Sequence, residues 1–298
     1  MSDLVANLIR LGALLAAGAL VIGYFVGRDV LRRRRRLRLA ARPLPDEWLG
    51  ILEENVPIYR RLPASLKADL HGQINVFVSE RRFEGCGGMR ITDLVRVTLA
   101  AQACVLVLGR KEGYRRTLSS VLVYPHAFLV RHSTSVGGGG YVVEPQERLG
   151  ESWRYGEVVL AWDEVTQGPE DRADGRNVVL HEFAHQLDHE DGFADGMPTL
   201  DRRSDYANWS RVLGARYEEL RESVEARDED AADDERPGDG AAVLDAYGAT
   251  NPAEFFAVAT EAFFEKPEEL KARLPDLYEQ LQNYYKLDPA GWARLRGR

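Results

Sequence analysis

Cysteine is nearly absent. Only Cys86 and Cys104 carry a thiol in 298 residues. Two are too few for a disulfide scaffold, and neither has metal-site spacing, so nothing here demands an oxidising compartment. Cys104 lies in an apolar run and is expected to be buried. Cys86 sits in the turn Glu84-Gly85-Cys86-Gly87-Gly88, nearer the surface. Positive charge is scarce outside one block. The net charge is −8; residues 28–42 hold eight Arg against one Asp, and residues 1–27 balance Asp3 with Arg10, which leaves −15 on the remainder. So acidic a body lacks the basic face that nucleic-acid binding needs. The run Gly137–Gly140 has no GxxxxGKS context and is a loop rather than a phosphate cradle. Internal repeats are absent. The 45% apolar and 29% charged content is that of a globular chain with room for one large domain or two small ones.

What is present begins with an apolar N-terminus. Leu11 to Gly27 carries no charge, and counting from Val5 the stretch reaches membrane-spanning length, with Arg10 able to snorkel. Arg28, Arg32–Arg36, Arg38 and Arg42 follow. Charge after the apolar run, rather than before it, fits an uncleaved anchor better than a signal peptide. The positive-inside rule then places the body in the cytoplasm, and the Arg belt suits anionic headgroups. The expected organisation is an anchor and basic juxtamembrane segment over 1–42 and one domain over 43–298.

Within the body, Trp48 to Phe83 and Thr92 to Leu108 carry helical periodicity, while Val121–Tyr124, Ala127–Val130 and Gly156–Trp162 are strand-like. Gln102, inside the second helix, is expected to be packed in the core. Arg227 to Gly240 is Asp/Glu-rich and is expected to be a solvated loop.

The chemistry centres on Asn177-Val-Val-Leu-His181-Glu182-Phe-Ala-His185-Gln-Leu-Asp188. On a helix, His181 and His185 lie one turn apart on one side and can grip a single Zn²⁺. Glu182 is placed to deprotonate a water activated by that ion. Asp174 or Asn177 can cap the helix start, and Gly192 follows its end. His189 as a further ligand is the weaker alternative, because it drifts round the helix. A second segment, Asp245 to Phe264, has Asn251 as a cap and Pro252 in the first turn of an apolar helix. Its carboxylates Glu254 and Glu261 are costly in that setting unless paired or metal-bound. They lie two turns apart on one face, and either can be the third ligand with the other bracing a histidine.

Four blocks in order, ITDLVRVTLAAQACVLVLG from Ile91, VLVYPHAF around Tyr124, HEFAHQLD and DAYGATNPAEFFAVATEAFF, make the chain resemble the Mlc titration factor A family of zinc-dependent peptidases, whose catalytic core is related to anthrax lethal factor. The resemblance covers most of the chain after Pro43. It implies an α+β, zincin-like fold, mainly helical with a small sheet. It implies zinc on His181, His185 and Glu254, Glu182 as general base, and Tyr247, seven residues before the Glu ligand, as an assisting hydroxyl. Glu261 and Asp188 are then the carboxylates that brace the ligands. It further implies a peptidase of aminopeptidase type. The N-terminal anchor and the long acidic loop depart from the family's soluble members. The family's name comes from sequestering a transcriptional repressor of sugar-uptake genes, a role that motif residues do not carry over. The competing expectation is therefore a zinc-containing protein that captures a cytoplasmic regulator. Three ligands with an open fourth position favour the enzyme.

Overall fold

The computed structural model describes residues 2–110, 113–114, 118–126, 128–136, 140–148, 150–153, 156–166, 175–230 and 243–292. The chain divides into two compact units, Met1–Pro43 and Leu44–Arg298.

The first unit is one helix, α1 (Ser2–Ala40). Its stretch Arg10–Ala40 is long and apolar enough to cross a membrane, and none of its apolar window is buried within the protein. Leu15, Leu20, Ile22 and Phe25 are all exposed.

In the second unit three helices come first: α2 (Asp46–Asn55), α3 (Pro57–Arg61) and α4 (Ala64–Glu80). The helical stretch expected over Trp48–Phe83 is thus divided into three helices. Pro57 opens α3 at its first turn and Pro63 precedes α4, each where a missing N–H does no harm. Phe83 belongs to strand β1 (Arg82–Gly85). Helix α5 (Asp93–Val107) follows, with Thr92 at its cap. Its apolar residues run all the way round, so from Val97 onward it is buried on every side, with Val97, Leu99, Ala101, Ala103 and Val105 at 0% exposure. Gln102 and Cys104 are buried there as expected.

Strand β2 (Ser120–Tyr124) pairs in parallel with β1, so α5 lies within the crossover that a parallel pair requires. Strands β3 (Phe128–Val136) and β4 (Gly140–Arg148) form a separate antiparallel ribbon in register from Phe128–Arg148 to Val136–Gly140. Strand β5 (Gly150–Trp153) and strand β6 (Glu157–Ala161) complete the main sheet, whose order is β1-β2-β6-β5. The first three strands are parallel and β5 is an antiparallel edge. Val121, Val123, Val158 and Leu160 are fully buried, in keeping with the continuous apolar runs of strands covered on both faces. Trp162, expected at a strand end, opens the short helix α6 (Trp162–Thr166). Ala127 and Gly137–Gly139 lie outside the described residues.

Helix α7 (Val178–Asp188) carries the two histidines. Helix α8 (Arg203–Asp230) is long and charged, and it takes in Arg227–Asp230, the start of the stretch expected to be a loop. The rest of that stretch lies outside the described residues. Helices α9 (Pro252–Glu265), α10 (Pro267–Arg273) and α11 (Pro275–Tyr285) close the chain, each opened by a proline. The architecture is α+β, mainly helical around a small sheet. Two aromatic clusters fix the helices that matter below. Phe183 of α7 packs against Phe77 and Tyr114 at ring distances of 5.8 and 5.3 Å. Phe263 and Phe264 of α9 pack against Tyr285 at 5.6 and 5.1 Å.

Candidate metal centre

Helix α7 has two faces. Val179, Leu180, Phe183, Ala184 and Leu187 are buried in the core. His181 and His185 emerge one turn apart on the other side, with only 13% of each side chain exposed. The helix starts at Asn177, whose Oδ1 accepts from Val179 N–H and Leu180 N–H, both at 3.1 Å. Asn177 is therefore the cap; Asp174 lies outside the described residues. A 3₁₀ turn, His189–Asp191, extends the end, and Gly192 at φ 101° terminates it in the left-handed region. His189 sits in that turn, outside the group that converges.

Helix α9 runs alongside. Asn251 caps it by accepting from Glu254 N–H at 3.0 Å, and Pro252 occupies its first turn. Glu254 Oε2 lies 2.9 Å from His181 Nε2 and 3.3 Å from His185 Nε2, and the two Nε2 atoms are 3.2 Å apart. Two turns further on, Glu261 Oε1 faces His181 Nδ1 at 2.7 Å. The other Glu261 oxygen accepts from Asn177 N–H. Both carboxylates thus reach the same imidazole, from opposite edges. A carboxylate that already accepts from a backbone amide accepts the Nδ1–H of His181 as well, and with a metal bound the His181 Nε2 would be free to turn its lone pair to the ion.

These separations suit a cation shared between the three atoms, a proton or a metal ion. A tetrahedral zinc with bonds of about 2.0–2.1 Å sets neighbouring ligand atoms about 3.3 Å apart, and the spacings here have that size. His181, His185 and Glu254 form a group able to hold a metal ion. The electrostatics agree. Burial opposes charge on His181, yet hydrogen bonds to Glu254 and Glu261 hold its pKa well above the ordinary value. Burial would raise Glu254, but its bonds to His181 and His185 hold it well below the usual carboxylate range. Glu261 is so deeply buried that its pKa rises despite the His181 bond. The site attracts positive charge, and two imidazoles with one carboxylate are suitable donors for a divalent metal.

Glu182, the residue after the first histidine, is buried at 4% exposure, and its charge acts on His181. Tyr247 is 55% exposed, in the 3₁₀ turn Ala246–Ala249, with its ring 6.0 Å from that of His181. That turn is tied to the start of α7. Asp245 accepts from Tyr247 N–H at 2.8 Å through one oxygen and from Arg176 Nε at 2.6 Å through the other. Asp188 is fully buried and accepts from Gly196 N–H at 2.8 Å. Its Oδ2 thus engages the loop after α7, whereas Glu261 engages a histidine directly. Burial pushes the Asp188 carboxyl up to about 7, against the Gly196 amide that favours its charged form. Gly196, at φ 76°, lies against Pro252, where an added Cβ would stand 2.3 Å from the Pro252 carbonyl oxygen. Asp188 therefore holds a loop pressed onto the start of α9, two residues from Glu254.

Sequence reasoning overlooked the residues that join the two helices. Asn177 Nδ2 donates to Gln102 Oε1 and to Glu265 Oε1, both at 2.8 Å. Arg61 Nη2 donates to Glu265 Oε2 at 3.1 Å. The one available signal was a polar Gln102 inside an otherwise apolar helix, which needs a partner when buried.

An α+β protein that brings two histidines of one helix and a carboxylate of another to a single point is built for metal binding of the metallopeptidase kind. The chain belongs to the glucose-regulated metallo-peptidase M90 family, which matches it over residues 30–286. An uncharacterised protein of Synechocystis sp. is 41% identical over 272 residues, spanning 90% of this chain and 94% of the relative. The Mlc titration factor A of Pectobacterium atrosepticum is 32% identical over 252 residues, spanning 84% and 89%. That of Klebsiella pneumoniae is 30% identical over 243 residues, spanning 81% and 87%.

Proposed function

We propose that the chain is a zinc-dependent peptidase of zincin-like architecture, aminopeptidase-like in its substrates, with an anchor in residues 1–42 and a catalytic domain in 43–298. The observation that carries this reading is the convergence of His181 Nε2, His185 Nε2 and Glu254 Oε2 beside the buried Glu182. These three residues would hold the zinc, which when bound would supply Lewis acidity for the scissile carbonyl and for the attacking water. Glu182 takes the proton of that water and passes it to the leaving amine. Glu261 fixes the His181 tautomer, and the Tyr247 hydroxyl donates to the developing oxyanion. The decisive experiment combines metal analysis of the purified chain with a digest of a peptide library. Stoichiometric zinc together with hydrolysis that chelation abolishes is expected. Zinc without hydrolysis, in a chain that retains a transcriptional regulator, would favour the second reading, a regulator-binding protein, which the naming of relatives as Mlc titration factors supports.

Tyr247→Phe should keep its zinc and lose kcat by about two to three orders of magnitude, the usual effect of removing one oxyanion donor. Steady-state kinetics alongside metal content check this, and an unchanged kcat would reduce Tyr247 to a packing residue.

The apolar helix α1 and the Arg block that ends it support an inner-membrane anchor with the domain in the cytoplasm. Protease added to intact spheroplasts should then spare residues 43–298. Recovery of the full-length chain in the soluble fraction, or cleavage of the body in sealed cells, would remove the anchor from this picture.

A further inference from the structure

Helix α7 begins at a residue that makes more bonds than a cap requires. A cap needs one side-chain oxygen, and Ser, Thr or Asp would serve as well as Asn. Asn177 uses its oxygen in that way on Val179 and Leu180. Its amide also donates twice, to Gln102 Oε1 on α5 and to Glu265 Oε1 on α9, each at 2.8 Å. Its backbone N–H goes to Glu261, the same carboxylate that holds His181 Nδ1. Glu265 is itself fixed from behind. Arg61 donates to its other carboxylate oxygen at 3.1 Å, and to the carbonyls of Phe264 and Glu265, at 2.6 and 3.2 Å, at the end of α9.

These contacts tie the start of α7 to the C-terminal half of α9. The lock matters because the metal ligands are divided between the same two helices. A slide of α7 along α9 would separate His181 and His185 from Glu254, and sites of this kind tolerate only about 0.5 Å of misplacement. We infer that Asn177 is a positioning residue for the metal centre: its amide and its backbone N–H set α7 against α9 and hold Glu261 on the His181 ring. The inference rests on the metal-site reading above.

Asn177→Ser separates this role from capping. Serine keeps the cap oxygen and lacks the amide that reaches Gln102 and Glu265. The full-length chain in detergent micelles would be compared with the variant by zinc affinity in chelator competition, the visible spectrum of the Co²⁺-loaded form, and the Tm of the metal-free form. Zinc binding should weaken about ten- to a hundredfold, the usual effect of removing outer support from a ligand histidine, with an altered Co²⁺ band; the metal-free Tm should fall as well, because Gln102 and Glu265 lose a donor. An affinity within about twofold of wild type with an unchanged Co²⁺ band would overturn the inference and leave Asn177 a cap, whatever the Tm. Should the Ser variant not fold, Glu265→Gln disturbs the same junction from α9 and is judged by the same affinity and spectrum. A wild-type chain that takes up no zinc would instead remove the metal-site reading, so the two failures are distinct.

Discussion

Replacing Glu182 by Gln is expected to lower kcat for peptide hydrolysis by roughly 10²–10⁴-fold, the range that general acid–base catalysis supplies, while leaving the zinc content unchanged. The side chain is buried at 4% exposure on the helix that carries both histidines. The amide has nearly the same size and is less costly to bury than a carboxylate, so α7 should fold as before. What disappears is the ability to accept a proton. Glu182 lies outside the three converging ligand atoms, and its loss removes no bond to a metal. The measurement is zinc content after gel filtration, set beside hydrolysis of a peptide. Loss of zinc in this variant would show that Glu182 holds the ion and does not serve as the base.

Glu254→Gln should fail in the opposite way, by losing the metal and therefore all activity. A neutral amide is a poor zinc ligand and leaves the ion's charge facing two imidazoles alone. The helix should survive, because Asn251 caps it through the backbone N–H of Glu254 and not through the side chain. Glu261→Gln is the informative comparison. Its carbonyl oxygen can still accept from His181 Nδ1, but the new amide group then faces the Asn177 N–H as a second donor. A loss of roughly ten- to a hundredfold in zinc affinity is expected, short of abolition. Retention of zinc by Glu254→Gln with loss in Glu261→Gln would exchange the two roles.

The sequence left those two carboxylates as equals, and the structure gives the reason. They lie seven residues apart on one face of α9 and touch the two nitrogens of one imidazole. Spacing cannot tell the inner edge of that ring from the outer one, and only the family resemblance favoured Glu254. Local signals were more legible. Asn177 and Asn251 cap the helices they precede, and the all-round apolar α5 declared its own burial. Long-range polar pairing was not legible: Asn177 and Glu265 stand 88 residues apart, with no periodicity to connect them. Helix α8 escaped because its charge hides its apolar stripe; Trp209, Val212 and Leu213 are buried among mostly exposed neighbours. The prolines that divide the first helical region were visible, but the apolar spacing runs smoothly across them and outweighed the breaks.

Helix α9 also bears on the order of folding. Eleven of its fourteen residues are buried, and Glu261 is among them. Before α7 arrives, Glu254 and Glu261 are hydrated anions on an otherwise oily helix, and dehydrating them without His181 is unfavourable. Their partner is 73 residues away from Glu254 in the chain, a contact that carries a large loop-closure entropy. The aromatic end of the helix has no such constraint. Phe263 and Phe264 meet Tyr278, Tyr285 and Trp292 within a short stretch of chain. That end is expected to consolidate early and the seam between α7 and α9 late. Zinc would then retard unfolding and leave the refolding rate nearly unchanged, as an interaction absent from the transition state does. Stopped-flow traces with and without the metal measure both limbs, and faster refolding in its presence would move the seam into the nucleus.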